Sequence, residues 1–194
     1  MSGSEGNLWG GRFSSSPEAS MFALSRSVHF DWRLAPYDLR SSLAHLSVLE
    51  SQSIITADVA TKIRGALREL QKEVGNGSFT PIESDEDVHS ALERGLKEKL
   101  GDLGGAIRAG RSRNDQVATD FKLYLIDHML QIAEQVNHLE KAITDLASTY
   151  VNDVAPGFTH LQHAQPVSFG HELAKHAHAC ARYKIGSPVQ ISLL

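Results

Sequence analysis

Gly110 to Gln116 (GRSRNDQ) brings two guanidinium groups, a hydroxyl, an amide and a carboxylate together just before a predicted long helix. Free backbone N–H groups and the positive end of the helix dipole attract anions to a helix start. The planar fork of arginine can also hold a carboxylate through two parallel hydrogen bonds. The segment therefore suits binding of a small carboxylate, although a solvated polar cap would use the same residue types.

A second group of chemically active side chains follows the predicted long helix. Gly157 to Pro166 (GFTHLQHAQP) carries hydroxyl, imidazole and amide groups, and we predict a loop because Pro156 and Gly157 end the helix. A histidine with a pKa near neutrality can relay protons, so Thr159 and His160 suit proton transfer. When a carbon beside a carboxylate loses a proton, fixed donors stabilise the charge that spreads onto that carboxylate.

Two earlier segments could complete such a site. Ser27 lies in a loop rich in hydroxyl and aromatic groups, where a serine is usually a turn or cap residue. Asp87 and His89 flank Val88, and an acid near a histidine could set the tautomer or charge of the ring. Ser84 is the predicted N-cap of a helix in this region, so the acidic residues there could equally be structural.

Helices must position these segments, because apolar residues recur at intervals of three and four along the chain. The spacing predicts an amphipathic helix from Tyr37 to Ser53, with Pro36 near its first turn. It predicts a second helix that Thr56 caps and that Gly75 to Gly77 ends. Two amphipathic helices in succession must bury their apolar faces against each other.

The predicted long helix has neither glycine nor proline from Arg111 to Ala155, and helical spacing extends from about Gln116 to Tyr150. At ~1.5 Å per residue it is about 50 Å long, which favours a strut in a multi-helix bundle shared between subunits. Pro166 should open a further helix, to about Arg182. The predicted fold is all-α, with an N-terminal arm and helical domain at residues 1–112 and the start of a central bundle at residues 113–194.

The composition limits the possible partners. A net charge of −4 and a pI near 6.2 leave no overall basic field, so nucleic acid and anionic membranes are unexpected partners. There is no apolar run of the roughly 18 to 20 residues that a membrane span needs, and residues 1–11 lack the apolar core of a secretory signal. Cys180 is the only cysteine, which is compatible with a reducing compartment. We therefore expect a cytoplasmic protein.

Metal and covalent chemistry are not favoured by the sequence. His171 to His176 (HELAKH) has one residue more than the zinc-protease helix motif, so its histidines would lie about 140° apart around a helix. There is no cysteine cluster, no nucleophile elbow around a serine and no phosphate-binding glycine loop. We therefore expect neither a metal nor a cofactor.

Four separated segments, in this order, resemble the argininosuccinate lyase family of the fumarase and aspartase superfamily. The resemblance covers roughly residues 6 to 182 and only the N-terminal portion of the family. The central motif differs in related families, so GRSRNDQ favours argininosuccinate as substrate over adenylosuccinate, fumarate or malate. The four segments are LWGGRF at 8–13, SDEDVHSALE at 84–93, GRSRNDQ at 110–116 and GFTHLQHAQP at 157–166.

The resemblance implies reversible cleavage of argininosuccinate to arginine and fumarate, a step of arginine biosynthesis and the urea cycle. It implies a helical homotetramer, without cofactor, whose active sites are built from several subunits. His160 would be catalytic, usually as a proton acceptor. Substrate would be bound by Ser27, Asn114 and Thr159, with Arg113 and Gln162 as further candidates, and Asp87 and His89 would lie close behind these residues.

One part of the family pattern does not occur in the sequence. This is the mobile serine loop of the form Gly-Ser-Ser-x-Met-Pro-x-Lys-x-Asn-Pro, also proposed as the base. In addition, Tyr183 to Pro188 should break a helix that the family continues. We therefore expect a truncated form that is inactive alone. Two alternatives remain: a non-catalytic helical assembly protein, as with lens crystallins that resemble this lyase, and a module that binds argininosuccinate or arginine without turnover.

Overall fold

The computed structural model describes residues 18–192, so the LWGGRF segment lies outside the described residues. Contacts divide the chain into two compact units, Met1–Tyr124 and Leu125–Leu194. A single helix, Arg113–Thr149, runs through this division and offers no break in the backbone. The domain boundary after residue 112 therefore stays a prediction.

The described part of the first unit is helical. Short 3-10 segments at Trp32–Leu34 and Gly101–Arg108 connect longer helices. The α-helices are α1 (Ala19–Ser25), α2 (Val28–Asp31), α3 (Ala35–Ser51), α4 (Ala57–Asn76), α5 (Val88–Leu100) and the first turns of α6 (Arg113–Thr149).

The two predicted amphipathic helices are α3 and α4. The predicted cap and end of α4 are confirmed, whereas α3 begins and ends two residues earlier than predicted. Pro36 lies in the first turn of α3, where its missing N–H has no intrahelical partner to lose. The Thr56 side chain accepts a hydrogen bond from the Val59 N–H at the start of α4. Gly77 ends α4 in the left-handed region, at φ 76°, which glycine adopts without a steric penalty.

The apolar core of the first unit lies between α3, α4 and α5. Burying a leucine, isoleucine or valine side chain stabilises the fold by about 1.5–3 kcal/mol, so the core fixes these three helices against one another. It thereby holds the polar face of α3 beside the start of α5. The large aliphatic residues that these three helices bury are Leu39, Leu46, Leu49, Ile63, Leu67, Leu70, Val88, Leu92 and Leu96.

The predicted N-cap of α5 is wrong by three residues, because the cap is Asp87 and not Ser84. The Asp87 side chain accepts from the Ser90 N–H at 2.7 Å, and the Ser90 hydroxyl accepts from the Asp87 N–H at 3.0 Å. Several side-chain oxygens in this acidic segment could have capped the helix. Burial of Val88 in the core selects the register, and hence the residue that caps.

The second unit contains the rest of α6, a β-hairpin and a final helix. The predicted long helix is confirmed as the 37-residue α6. The predicted loop is instead an antiparallel hairpin of β1 (Val154–Thr159) and β2 (Gln162–Ser168). Pro156 and Pro166 lie opposite each other, and the two-stranded sheet leaves strand positions that need no N–H donor.

The final helix, α7, covers Phe169–Ser192. It begins after Pro166 and not at it, because Pro166 is paired in β2. The predicted break at Tyr183 to Pro188 is also wrong, since α7 continues through this stretch. A proline inside a helix removes one backbone hydrogen bond and can be accommodated without ending the helix.

Residues 18–192 thus form a helical fold with one two-stranded sheet, which confirms the predicted all-α class. Among them, no helix has both the length and the apolar character needed to cross a membrane.

Candidate active site

The predicted loop around Ser27 is wrong over most of its length, because only Arg26 and Ser27 lie between α1 and α2. This two-residue connection, the Ser27 loop, is fastened to the start of α5. The Ser27 N–H donates to the Glu86 carbonyl oxygen at 2.8 Å, and the Ser27 hydroxyl donates to Asp31 Oδ2 at 2.6 Å. The other oxygen of Asp31 accepts from the Val88 N–H at 3.0 Å. Sequence reasoning missed Asp31, although its position four residues after Ser27 would have placed the two side chains on one helical face.

Two acidic groups at this junction, Asp31 and Glu86, have raised pKa values. Burial raises the pKa of Asp31, and the charge of Asp87 raises it further, against the hydrogen bonds from Ser27 and Val88. Burial and the charge of Asp87 likewise raise the pKa of Glu86, while the nearby Arg113 opposes this change. Arg113 Nη1 lies 3.5 Å from Asp87 Oδ1. The first turn of α6 is therefore joined electrostatically to the N-cap of α5.

The residues of the GRSRNDQ segment, at the start of α6, lie in different environments. The Ser112 hydroxyl accepts from the Asn114 N–H at 3.2 Å, as an N-cap does. Arg113 is half-buried, and the Asn114 side chain is exposed on the first turn. Arg111 instead points into the protein and donates to the hydroxyls of Ser41 and Ser42, each at 2.8 Å. Of the two arginines, Arg113 is thus the better placed for a ligand.

His89 is buried, and its partners are the carboxylates of Asp38 and Asp120. The ring Nδ1 lies 2.5 Å from Asp38 Oδ2 and 3.7 Å from Asp120 Oδ2. The sequence indicated an acid that could set the tautomer or charge of the His89 ring. In the structure, the acids beside the ring are Asp38, from α3, and Asp120, from α6. Asp87, the acid nearest in sequence, serves as the N-cap of α5.

Asp120 is fully buried, and neither of its oxygens makes a hydrogen bond of normal geometry. Burial is the main cause that raises its pKa to about 6, and the charge of Asp38 adds to this. The neighbouring Ser41 hydroxyl, His89 and Arg111 act in the opposite direction. Asp120 is therefore a buried acid that gains or loses its proton close to neutral pH.

Asp38, His89 and Asp120 form the only candidate metal cluster within residues 18–192. Their ligand atoms all lie within 4.8 Å of one another. However, Asp38 Oδ2 is already 2.5 Å from the His89 ring nitrogen and 2.7 Å from Gln116 Nε2. The positive charge of Arg111 also acts on this cluster. These contacts favour a hydrogen-bonded cluster over a cation site, and the expectation of no metal stays a prediction.

Thr159, His160 and Gln162 lie at the tip of the hairpin in the second unit. Thr159 and Gln162 are the last paired residues, and His160 and Leu161 form the two-residue connection. Both connecting residues have positive φ, 50° and 61°, which is the signature of a type I′ turn. The hairpin therefore presents Thr159 and His160 side by side, and both side chains are exposed.

Leu161 is poorly suited to this turn, because a leucine with positive φ brings its Cβ close to the backbone. It is 93% exposed, so its side chain gains little from burial. We expect Leu161→Asn to raise the free energy of unfolding by about 1 kcal/mol, since asparagine tolerates this conformation. Urea denaturation measures the change. Leu161→Ala removes the apolar side chain without favouring the turn, so an equal gain in both variants would contradict this explanation.

Comparison with known proteins identifies the family of the chain. A sequence-family model described as lyase matches residues 11–185, which is most of the chain. The chain belongs to the lyase family. This lyase-family chain is 54% identical over 175 residues to an argininosuccinate lyase of Frankia casuarinae, covering 90% of the chain and 38% of that relative. An argininosuccinate lyase of Rhodococcus opacus is 52% identical over 180 residues, with coverage of 92% and 38%.

The lyase-family chain thus spans less than half the length of these curated relatives, and the predicted resemblance to argininosuccinate lyase is confirmed. Solved structures support the fold. EDDS lyase in complex with formate has a TM-score of 0.68 at 24% identity, over 86% of this chain and 32% of that one. A β-carboxy-cis,cis-muconate cycloisomerase from Acinetobacter calcoaceticus has a TM-score of 0.66 at 21% identity, over 88% and 40%.

The candidate residues of this lyase-family chain fall into two sets. In the first unit, contacts join the Ser27 loop, the start of α5 and the start of α6, and so bring Ser27, Asp87 and Arg113 into one region. In the second unit, the hairpin holds Thr159, His160 and Gln162 together. The first set contains groups of the kinds that bind anions, and the second contains groups of the kinds that transfer protons.

Proposed function

We propose that this chain is part of an argininosuccinate lyase, which cleaves argininosuccinate reversibly to L-arginine and fumarate. The observation that carries the proposal is the similarity, near 50% identity over nine-tenths of the chain, to proteins with that name. The region of similarity includes both sets of candidate residues. An EDDS lyase variant of the same fold has been solved with fumarate bound, which fits a site for a small dicarboxylate.

In this proposal the first unit binds the substrate. Arg113 and Asn114 lie on the first turn of α6, where backbone N–H groups and the helix dipole favour a carboxylate. Ser27 adds a hydroxyl from the loop that is bound to α5. We expect Asp87 and His89 to lie close behind these groups. Asp87 caps α5 and contacts Arg113, and His89 contacts Asp38 of α3.

The hairpin supplies the proton-transfer groups. His160 accepts the proton removed from the carbon beside the substrate carboxylate. The electron pair of that C–H bond forms the C=C bond of fumarate as the C–N bond breaks, and the pair of the C–N bond stays on the guanidino nitrogen of arginine. Thr159 and Gln162 hydrogen-bond to the substrate. Donors fixed near that carboxylate stabilise the charge that develops on it, and they act most strongly where water is excluded. Because His160 is exposed in its own unit, we propose that other subunits of a homotetramer cover it. The enzyme would act in cytoplasmic arginine biosynthesis and the urea cycle, without cofactor or metal.

The test is to add argininosuccinate to the purified 194-residue chain and to follow both binding and the ultraviolet absorbance of fumarate. We expect argininosuccinate to raise the unfolding midpoint, because a ligand at a hundred times its Kd stabilises a protein by about 2.7 kcal/mol. Asn114→Ala should weaken this effect, whereas Asn137→Ala, which removes an exposed asparagine farther along α6, should not. We expect no more fumarate from the chain alone than from His160→Ala, because its own unit leaves His160 in water.

Binding and fumarate formation together decide between an active lyase, a binding protein and neither. A folded chain that does not bind argininosuccinate contradicts the proposed function. Fumarate formation that depends on His160 supports the function and contradicts the expectation that the chain is inactive alone. Binding that Asn114→Ala weakens, without fumarate, supports the substrate assignment.

A second candidate is a protein that binds argininosuccinate or arginine, or assembles with helical partners, without turnover. The observation in its favour is the exposure of Thr159 and His160. Product formation in any assembled state of this chain would exclude it.

A further inference from the structure

The carboxylate of Asp38 lies at the junction of three segments. It belongs to α3, its Oδ2 accepts from Gln116 Nε2 at 2.7 Å, and the same oxygen lies 2.5 Å from the His89 ring. Its Oδ1 accepts from the Ser42 hydroxyl at 2.8 Å, and that hydroxyl in turn accepts from Arg111 Nη1. One buried side chain therefore contacts His89 of α5 and Gln116 directly, and is joined to Arg111 through Ser42.

The surroundings of Asp38 are buried and rich in charge. Asp38 is 3% exposed and His89 is 4% exposed. Arg111 supplies positive charge from the α6 side, and Asp120 faces His89 from the second turn of α6. A buried charge is stable only when it is paired and hydrogen-bonded, so each of these groups constrains the others.

Apolar packing does little to fix the start of α6. Val117 is 41% exposed and Phe121 is 50% exposed, so the first two turns of this helix bury only part of their large apolar side chains. By contrast, α3, α4 and α5 are held together by the apolar core. The position of the first turn of α6 therefore depends on its polar contacts, and Asp38 receives the contact from Gln116.

We propose that Asp38 is a positioning residue for the substrate-binding segment. Through Gln116, and through Ser42 to Arg111, it fixes the backbone at the start of α6, and with it the directions of Arg113 and Asn114. The inference rests on the proposed function for the role of Arg113 and Asn114, but the anchoring itself is measurable without it.

The experiment compares Gln116→Ala and Asp38→Asn with the original chain by amide hydrogen exchange. The Arg111 N–H donates to the Arg108 carbonyl, and the Gln116 N–H donates to the Ser112 carbonyl, so both amides report on the segment. We expect their exchange to become about tenfold faster, the effect of losing one hydrogen bond to a charged group. Amides of α4 that exchange through openings confined to α4 should not change, because those openings leave the contact between Gln116 and Asp38 in place. Gln71→Ala, at an exposed glutamine of α4, is the matched control.

Gln116→Ala keeps the buried pair of Asp38 and His89, so it tests the proposal even if Asp38→Asn fails to fold. Unchanged exchange at residues 111–116, or an equal increase throughout the first unit, overturns the proposal.

A second readout separates positioning from a general loss of stability. In Gln116→Ala we expect the Kd for argininosuccinate to rise about tenfold. The unfolding free energy without ligand should fall by no more than about 1.4 kcal/mol, which is the tenfold change in exchange converted to a free energy. An unchanged Kd together with faster exchange overturns the positioning role. If no variant, nor the original chain, binds argininosuccinate while exchange at residues 111–116 rises, the anchoring by Asp38 stands and the proposed function fails.

Discussion

Asp120→Asn is expected to stabilise the folded chain by about 3 kcal/mol at pH 8 and by little at pH 4. The pKa of this carboxyl is raised from 3.8 to about 6 in the folded state, and a difference of one in pKa corresponds to about 1.4 kcal/mol. Because the folded state binds this proton more tightly, the stability of the original chain falls as pH rises from about 3.8 to about 6. Above that window the full penalty remains, and asparagine abolishes it.

Urea unfolding of both proteins between pH 4 and pH 8 measures this effect. The difference in unfolding free energy should grow up to about pH 6 and then stay constant. Asp58→Asn is the control, since Asp58 is exposed and pairs with Lys62 on the surface of α4. It should change stability by a few tenths of a kcal/mol. A difference for Asp120→Asn that is the same at pH 4 and pH 8 would show that the charge of Asp120 is not the cause.

Gly170→Ala should destabilise the second unit by about 3 kcal/mol or more, near the upper end of what overpacking usually costs. Gly170 is the second residue of α7 and lies against the end of α6, and its N–H donates to the Tyr150 carbonyl oxygen at 2.9 Å. An added Cβ would meet the Ala147 carbonyl oxygen, and would lie 2.7 Å from the Cα of Val151. These are backbone atoms, which cannot turn aside as a flexible side chain can.

Thermal unfolding, together with hydrogen exchange of the hairpin and α7, detects this loss. Gly75→Ala is the matched control, because a Cβ at Gly75 in α4 meets nothing within 4 Å. That change should stabilise the protein by up to about 1 kcal/mol, since alanine favours a helix over glycine. If both variants changed stability in the same direction and by the same amount, the close packing at Gly170 would not be the reason.

The long helices were predictable because their signals are local. Leu39, Leu46 and Leu49 recur at helical spacing in α3, and the absence of glycine and proline predicted α6. The hairpin was not predicted, because its two prolines and Gly157 are typical of a loop. Its turn also lacks the Asn-Gly or Asp-Gly pair that usually marks a two-residue connection. The positive φ of His160 and Leu161 arises from strand pairing on both sides.

The buried cluster was missed for a different reason. The motifs drew attention to Asp87, but the carboxylates that reach His89 come from α3 and α6. One local signal was available: Asp38, Ser42 and His45 repeat at intervals of four and three, which gives α3 a polar stripe beside its apolar one. Such a stripe predicts a buried polar surface. It cannot predict which distant residues meet it, and the roles of Ser27, Asn114, Thr159 and His160 stay predictions.

The contacts of Asp38 also bear on the order in which the first unit folds. Asp38 is separated by 51 residues from His89 and by 78 residues from Gln116, whereas the hairpin closes around only two residues. Closing a long loop loses more chain entropy than closing a short one, and contacts between residues far apart in sequence slow folding. The hairpin can therefore form early from its own sequence, while the Asp38 contacts can close only after α3 and α5 have packed. The segment proposed to bind substrate would be among the last parts of the first unit to become ordered.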